Sequence, residues 1–96
     1  SMEYLGAWTV TGYCGCEACC GSWGNATASG AYPTSNHTIA CNVLPFGTQV
    51  MIDGIVYTVE DTGWTLYGDA WLDIYFDSHD EALAWGVRTI DVYLVG

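Results

Sequence analysis

Acidic residues stand within and at the ends of apolar, strand-like segments in the second half of the chain. Asp73 lies in the segment Leu72–Phe76, whose alternation of period two places three apolar side chains on one face and Asp73 with Tyr75 on the other. A carboxyl group held in this way could transfer protons. An aspartate on the open face of an antiparallel strand is also common without any chemistry, so the pattern by itself fits a solvated residue equally well.

A second carboxylate follows the neighbouring strand-like segment. Asp61 comes directly after Ile55–Glu60 and opens the turn Asp61-Thr62-Gly63. It could organise this turn through its side chain, or it could lie beside Asp73. Two carboxylates brought close together cannot both ionise easily, so the pKa of one rises and that group can act as an acid near neutral pH.

Asp77 is a weaker candidate for chemistry. It lies four residues after Asp73, or about 13 Å along an extended strand, which is too far for direct pairing. We expect Asp77 to cap the following helix instead.

Five cysteines offer a different kind of chemistry. Cys14, Cys16, Cys19 and Cys20 fall within seven positions, and Cys41 lies apart from them. One interpretation is a secreted domain with one or two disulfides and a leftover thiol, which is the one we prefer. The alternative is a zinc site built on Cys16-x-x-Cys19, with two further ligands from the other three cysteines.

The charge of the chain excludes some partners. Eleven acidic residues stand against Arg88 as the one basic residue, so the net charge of the 96-residue chain is −10. That charge would repel nucleic acids and acidic membrane surfaces, and no apolar run approaches the roughly 20 residues that cross a bilayer. We therefore expect a single monomeric domain over residues 1–96, without membrane insertion. Ser1-Met2 resembles a cloning remnant, and a secretion signal or wall-binding modules are expected to precede the domain in the natural protein.

The remaining pattern predicts the strands that would position these groups. Apolar and β-branched residues indicate about six strands, enough to close a small barrel. The Asp53-Gly54 pair between two of them is typical of a type I′ hairpin. The predicted strands are Tyr4–Tyr13, Thr38–Val43, Gln49–Ile52, Ile55–Glu60, Leu72–Phe76 and Thr89–Val95.

One short helix is predicted from Ser78 to Trp85. Ser78-x-x-Glu81 matches a capping box, and Gly86 provides a stop signal at the other end. The fold class expected from these elements is mainly β, with one helix.

The order of several motifs carries a family resemblance. TGYCxCxxCCGxW, TASG, TIA, PFGT, EDTG, LDIYFDSHDEALAWGVRT and DVYLV follow one another along nearly the whole chain. This order resembles the 3D domain of bacterial cell-wall proteins, which is named for three aspartates. That family is similar to the catalytic core of the MltA-type lytic transglycosylases. The resemblance implies a six-stranded double-psi β-barrel that acts on peptidoglycan.

The resemblance also implies a set of site residues. Asp73 falls on the position taken as the acid/base of the transglycosylase relatives, with Asp61 as its neighbour. We expect the substrate to be bound by Thr27, Ser29, Asn42, Thr62, Gly63, Trp64, Tyr67 and Tyr75. The chain departs from the family at three of these positions: Asn42 replaces a frequent aspartate, Trp64 a glycine and Tyr67 a lysine. Asn42 could still orient a sugar by donating a hydrogen bond, but it cannot share a proton.

Aromatic residues are abundant for so small a chain. Trp23, Trp64, Tyr67 and Trp71 lie in predicted loops, where exposed rings could stack on sugar faces. Trp8 and Trp85, by contrast, are predicted to belong to the core.

The resemblance implies a lytic transglycosylase that acts outside the cell or in the cell wall and needs no metal or cofactor. Asp73 would protonate the bond between N-acetylmuramic acid and N-acetylglucosamine, and would then act as base on the muramic C6 hydroxyl. A non-catalytic glycan-binding module is the alternative. A retroviral-type aspartic protease built on Asp61-Thr62-Gly63 fits less well, because Glu60 and Trp64 flank that motif where apolar and small residues are needed.

Overall fold

The computed structural model describes residues 2–15, 27–62 and 70–96. These parts of the chain form six strands and one helix. In chain order the elements are β1 (Met2–Cys14), β2 (Thr38–Ala40), β3 (Gln49–Ile52), β4 (Ile55–Asp61), β5 (Trp71–Phe76), α1 (His79–Trp85) and β6 (Arg88–Val95).

The six strands close into a barrel in the order β1-β5-β2-β4-β3-β6. The pairs β1/β5 and β2/β4 are parallel, and the other four pairs are antiparallel. Each parallel pair requires the chain to cross over before it returns in the same direction. The predicted fold class, mainly β with a closed six-stranded barrel and one short helix, is confirmed.

Side chains that alternate along the strands fill the barrel. The fully buried ones are mostly β-branched, as expected for residues that pack on a pleated surface. Every strand contributes at least one: Val10, Ile39, Val50, Ile52, Val59, Leu72, Ile74 and Val92. Because Leu72 and Ile74 point inward, the alternation places Asp73 on the outer face of β5, as predicted. Trp8 is buried in this core, and Trp85 packs against it while remaining partly exposed.

The turn between β3 and β4 has the predicted geometry. Asp53 and Gly54 both have positive φ angles, 52° and 81°. Two consecutive positive φ values are the requirement of a type I′ turn, whose twist matches that of the flanking strands.

Helix α1 begins and ends where its sequence signals indicate. The Ser78 hydroxyl oxygen accepts a hydrogen bond from the Glu81 backbone N–H at 3.2 Å, and Gly86 ends the helix with a φ of 68°. The prediction that Asp77 caps the helix is wrong, since Ser78 holds the cap position and Asp77 lies exposed before it.

The helix lies against the ends of β1 and β5. Gly12 of β1 makes this close approach possible, because a Cβ atom there would stand 2.8 Å from the Phe76 ring and 3.1 Å from the Ala82 carbonyl oxygen. At the far end, Arg88 stacks over the Trp85 ring at 4.0 Å and donates from Nε to the Trp85 carbonyl oxygen. Arg88, the single residue of the Lys and Arg types in the chain, is therefore engaged at the C-terminus of α1.

Most predicted elements differ from the observed ones by one to three residues at an end, and two of these differences bear on the site. β2 ends at Ala40 instead of Val43, and the chain bends at Asn42. Trp71, predicted to lie in a loop, begins β5, where it pairs with Thr9 of β1. Both differences arise from pairing between strands that are distant in sequence, which local patterns do not encode.

The cysteine predictions fall largely outside the described residues, as do those for Trp23, Gly63, Trp64 and Tyr67. Within the described ranges no disulfide is present, and Cys41 is a free thiol buried in the core. The expected disulfides therefore find no support in this part of the chain. The one helix here is too short to span a membrane.

Candidate functional site

Asp73 lies at the centre of a mixed three-stranded segment of the barrel. In β5 it pairs with Thr11 of parallel β1 on one side and with Ala40 of antiparallel β2 on the other. Paired residues project their side chains to the same face of a sheet. The carboxyl group of Asp73 is thus flanked by a threonine hydroxyl and by the small methyl group of Ala40.

A short chain of hydrogen bonds leads to this carboxyl group. The Trp71 indole Nε1–H donates to Thr11 Oγ1 at 3.0 Å. The Thr11 hydroxyl in turn has two acceptors within reach, Asp73 Oδ1 at 3.2 Å and the Leu72 carbonyl oxygen at 3.4 Å. Since a hydroxyl group carries one hydrogen, the indole donor orients it toward these two oxygens. No donor among the described residues reaches Asp73 Oδ2.

Burial raises the pKa of Asp73 to about 7. The hydrogen bond from Thr11 opposes this change and lowers the pKa, while the negative charge of Asp61 raises it further. Desolvation of the carboxylate is thus the main cause, and repulsion from Asp61, the cause expected from the sequence, is the smaller one. A carboxyl group with such a pKa is about half protonated at neutral pH.

Asp61 lies at the end of β4, and the strand β2 separates it from Asp73 in β5. Ala40 of β2 pairs with both aspartates, so their backbones lie two strand spacings apart, or about 10 Å. They are therefore neighbours across one intervening strand. The negative charge of Asp61 raises the pKa of Asp73 across this strand.

Three protein donors engage the Asp61 carboxylate. Oδ1 accepts from the backbone N–H groups of Ala28 and Thr62, at 2.9 Å and 2.8 Å. Oδ2 accepts from the Tyr13 hydroxyl at 3.2 Å. Asp61 therefore joins β4 to β1 and to the loop that contains Ala28. The contact with Thr62 corresponds to the turn-organising role that the sequence offered as one alternative.

The loop that carries Thr27 and Ser29 is held beside β4. The Thr27 hydroxyl donates to the Ala31 carbonyl oxygen at 2.7 Å and lies 3.0 Å from the Ser29 hydroxyl. The Ser29 N–H donates to the Glu60 carbonyl oxygen at 3.2 Å. Thr27 is buried and fixes the shape of the loop, whereas Ser29 is exposed close to Asp61.

The other predicted contact residues have different environments. Tyr75 shares the outer face of β5 with Asp73, but it is only 8% exposed and packs edge-on against Tyr13 with ring centroids 5.5 Å apart. Asn42 is exposed in the bend two residues after Ala40, and Thr62 is exposed beside Asp61. The described chain thus brings Asp73, Asp61, Thr27, Ser29, Asn42, Thr62 and Tyr75 to one region of the barrel.

Sequence reasoning missed two residues of this region. Thr11 and Tyr13 contact the two aspartates, yet both lie in β1, far away along the chain. The alternation of β1 places Thr11 and Tyr13 on one face, and this alternation can be read from the sequence. The contact of Thr11 with Asp73 follows from the parallel register of β1 with β5. The contact of Tyr13 with Asp61 joins β1 to β4, which are not paired strands, so only the closed barrel brings these two residues together.

A metal centre finds no support in the same region. Within residues 2–15, 27–62 and 70–96 no group of three or more His, Cys, Asp or Glu side chains is arranged to hold an ion.

Comparison with known proteins places this barrel in a family. Residues 38–96 match the model of the 3D domain family. The chain belongs to the 3D domain family. Asp61 and Asp73 both lie in the matched part, whereas Thr11, Thr27 and Ser29 precede it.

One relative of this 3D domain is the cell wall-binding protein YocH of Bacillus subtilis. The two are 36% identical over 52 residues, which cover 53% of this chain and 18% of YocH. The match thus spans about a fifth of YocH, and the other parts of that protein have no counterpart in the alignment.

Proposed function

We propose that this domain is a peptidoglycan lytic transglycosylase that works at the cell wall, with Asp73 as its acid/base. One observation carries the proposal: Asp73 is a largely buried carboxyl group whose pKa of about 7 keeps a transferable proton available at neutral pH. Membership of the 3D family and the name of YocH support the cell wall as the place of action.

The hydrogen bonds around Asp73 suggest which oxygen reacts. Thr11 occupies Oδ1, so the proton is carried on Oδ2, which no described donor contacts. Oδ2 protonates the glycosidic oxygen between N-acetylmuramic acid and N-acetylglucosamine as the bond to the muramic C1 breaks. The departing sugar leaves as a neutral alcohol, and Asp73 is left as a carboxylate.

The same carboxylate then completes the reaction. It removes the proton from the muramic C6 hydroxyl while that oxygen bonds to C1 and closes a 1,6-anhydro ring. Asp73 regains its proton, and no water is consumed. A single acid/base is sufficient because the nucleophile belongs to the substrate.

Asp61 has a supporting role in this mechanism. Both of its oxygens already accept hydrogen bonds from protein donors, so it is poorly suited to act as a nucleophile. Its negative charge favours the protonated form of Asp73, and its contact with Ala28 holds the loop of Thr27 and Ser29 beside β4.

Glycan binding without cleavage is a second candidate, and two observations favour it. Asn42 occupies a position where the family resemblance implies a frequent aspartate, and YocH is named for cell wall binding. In this case Asp73 would hydrogen-bond sugar hydroxyls without transferring a proton.

Digestion of purified peptidoglycan distinguishes the two candidates. We expect 1,6-anhydromuropeptides, about 20 Da lighter than borohydride-reduced hydrolysis products because no water and no hydrogen is added. Asp73→Asn should abolish their release while the protein still co-sediments with insoluble peptidoglycan. Asp77→Asn, which alters an exposed acid four residues further along, is the matched control and should cleave as the wild type does.

The product pattern decides between the candidates. Reducing ends would indicate a hydrolase, and co-sedimentation without any product would establish the binding module. Full activity of Asp73→Asn would remove Asp73 from the mechanism.

A further inference from the structure

Asp61 projects from the opposite face of β4 to the one that regular alternation predicts. Residues two positions apart in a strand share a face, so Asp61 should point the same way as Val59. Val59 is fully buried in the barrel core, yet the Asp61 carboxylate reaches the Tyr13 hydroxyl at 3.2 Å. Tyr13 projects outward, because it pairs with Tyr75 on the outer face of β5. The direction of Asp61 is therefore reversed.

One extra residue in β4 explains this reversal. Ile39 of β2 pairs with Val59 of β4. The next residue of β2 is Ala40, and it pairs with Asp61, so Glu60 is left between two pairs. Such a β-bulge sets two residues opposite one and shifts the alternation by one position, and it is rare between parallel strands. Glu60 and Asp61 therefore both project to the outer face.

The side chain of the bulge residue, Glu60, is held at both of its oxygens. Oε1 accepts a hydrogen bond from the Thr38 hydroxyl at 2.7 Å, and Oε2 lies 3.5 Å from His37 Nε2. Thr38 is fully buried, and its hydroxyl accepts from the Thr34 N–H at 2.9 Å. The Glu60 carbonyl oxygen accepts from the Ser29 N–H at 3.2 Å. Side-chain and backbone contacts thus fasten the bulge to the start of β2 and to the loop that contains Ser29.

The outward direction of Asp61 matters for the candidate site. From this face its charge acts on Asp73, and its Oδ1 atom accepts from the Ala28 N–H. Without the bulge, Asp61 would point into the core beside Val59, where an ionised carboxylate is very unfavourable. The second carboxylate of the site therefore depends on the bulge at Glu60.

We propose that Glu60 is a positioning residue, whose contacts with Thr38 and His37 hold the bulge that turns Asp61 to the face of Asp73. Glu60 acts through Asp61 and not on the substrate. The effect of Glu60 on turnover rests on the proposed function of Asp73, but the direction of Asp61 can be measured without any turnover.

Three variants of Glu60 separate its contacts from its charge. Glu60→Gln removes the charge but keeps an oxygen acceptor for the Thr38 hydroxyl. Glu60→Asp keeps the charge but is one methylene group shorter, so its carboxylate no longer reaches Thr38. Glu60→Ala removes both the charge and the contact. A positioning role requires that Glu60→Asp and Glu60→Ala behave alike and that Glu60→Gln resembles the wild type.

Two measurements report where Asp61 lies. Amide hydrogen exchange of Ala28 reports its hydrogen bond to Asp61, and NMR titration reports the effect of Asp61 on the pKa of Asp73. In Glu60→Asp and Glu60→Ala, the Ala28 amide should exchange as fast as in Asp61→Ala, and the pKa of Asp73 should fall to its value in that variant. Adding Asp61→Ala to Glu60→Asp should change neither quantity further, since both substitutions remove the same arrangement.

Several outcomes would overturn the proposal. Wild-type values in Glu60→Asp would show that the bulge does not need these contacts. A change in Glu60→Gln as large as in Glu60→Ala would show that the hydrogen-bond acceptor is not what holds Asp61. Unfolding of both Glu60→Gln and Glu60→Asp would mean that Glu60 supports the whole barrel, and would reject the positioning role. Because no measurement here uses turnover, an inactive wild type would contradict only the proposed function.

Discussion

At the scale of single residues, the pKa of Asp73 depends on the burial of its carboxyl group, on the hydrogen bond from Thr11 and on the charge of Asp61. Burial raises the pKa of its carboxyl group, the Thr11 hydroxyl lowers it, and the charge of Asp61 raises it. Thr11 is itself oriented by the Trp71 indole. These residues thus set both the proton affinity and the direction of one carboxyl group.

Substitutions of Thr11 and Asp61 should shift the pKa of Asp73 in opposite directions. Thr11→Val removes the donor to Oδ1 and should raise the pKa above that of the wild type. Asp61→Asn removes a nearby negative charge and should lower it, so that the alkaline limb of any activity profile moves to lower pH. NMR titration of ¹³C-labelled aspartate measures both shifts, with or without turnover.

Thr11→Ser is the control, because serine keeps the hydroxyl group and should leave the pKa near the wild-type value. If Thr11→Val and Thr11→Ser titrate alike, the hydroxyl does not influence Asp73, and the effect of Thr11 would have to come from packing alone.

At the scale of elements, the close approach of α1 and β5 to β1 depends on one glycine. The space beside Gly12 is filled by the Phe76 ring and the Ala82 carbonyl group. The Phe76 ring could rotate away from an added Cβ atom, but the Ala82 carbonyl group is part of the helix backbone and can move less. The position of α1 is therefore sensitive to a single added methyl group.

Gly12→Ala should lower the free energy of unfolding by about 1–3 kcal/mol, which is the usual effect of overpacking. Urea denaturation followed by circular dichroism measures this change. Gly12→Ala should cost less stability when it is added to a Phe76→Leu variant than when it is added to the wild type, because leucine leaves room for the new Cβ atom. An unchanged midpoint in Gly12→Ala would show that the contact between β1 and α1 is looser than the distances indicate.

At the scale of the whole molecule, Asp73 connects function to folding stability. Its pKa is about 7 in the folded barrel, against an ordinary value of 3.8. Below pH 3.8 the group is protonated in both the folded and unfolded states. As the pH rises from 3.8 to 7, only the unfolded state ionises readily, so the folded state loses stability; above pH 7 the difference remains constant.

Asp73→Asn should therefore be more stable than the wild type at pH 8, by on the order of 2–4 kcal/mol, and the advantage should shrink toward pH 4. Thermal or urea unfolding at several pH values measures this trend. Asp77→Asn changes an exposed acid and should not reproduce it. A difference between wild type and Asp73→Asn that does not vary with pH would show that the carboxyl group titrates normally in the folded protein.

The sequence by itself determined the features that depend on neighbouring residues. The alternation around Asp73, the turn at Asp53-Gly54 and the helix from its Ser78 cap to Gly86 were all predicted and are present. Each rests on periodicity or on a cap that spans a few residues, which a single segment contains in full. The family motifs added the closed barrel, which local patterns allowed but did not require.

Only the tertiary structure decided which groups meet. The parallel pairing of β1 with β5 brings Thr11 to Asp73 across 62 positions, and β2 separates Asp73 from Asp61 through Ala40. It also decided that burial is the main cause of the raised pKa and that Cys14 contacts His79. Register between distant strands results from packing of the whole barrel, so no local pattern records it.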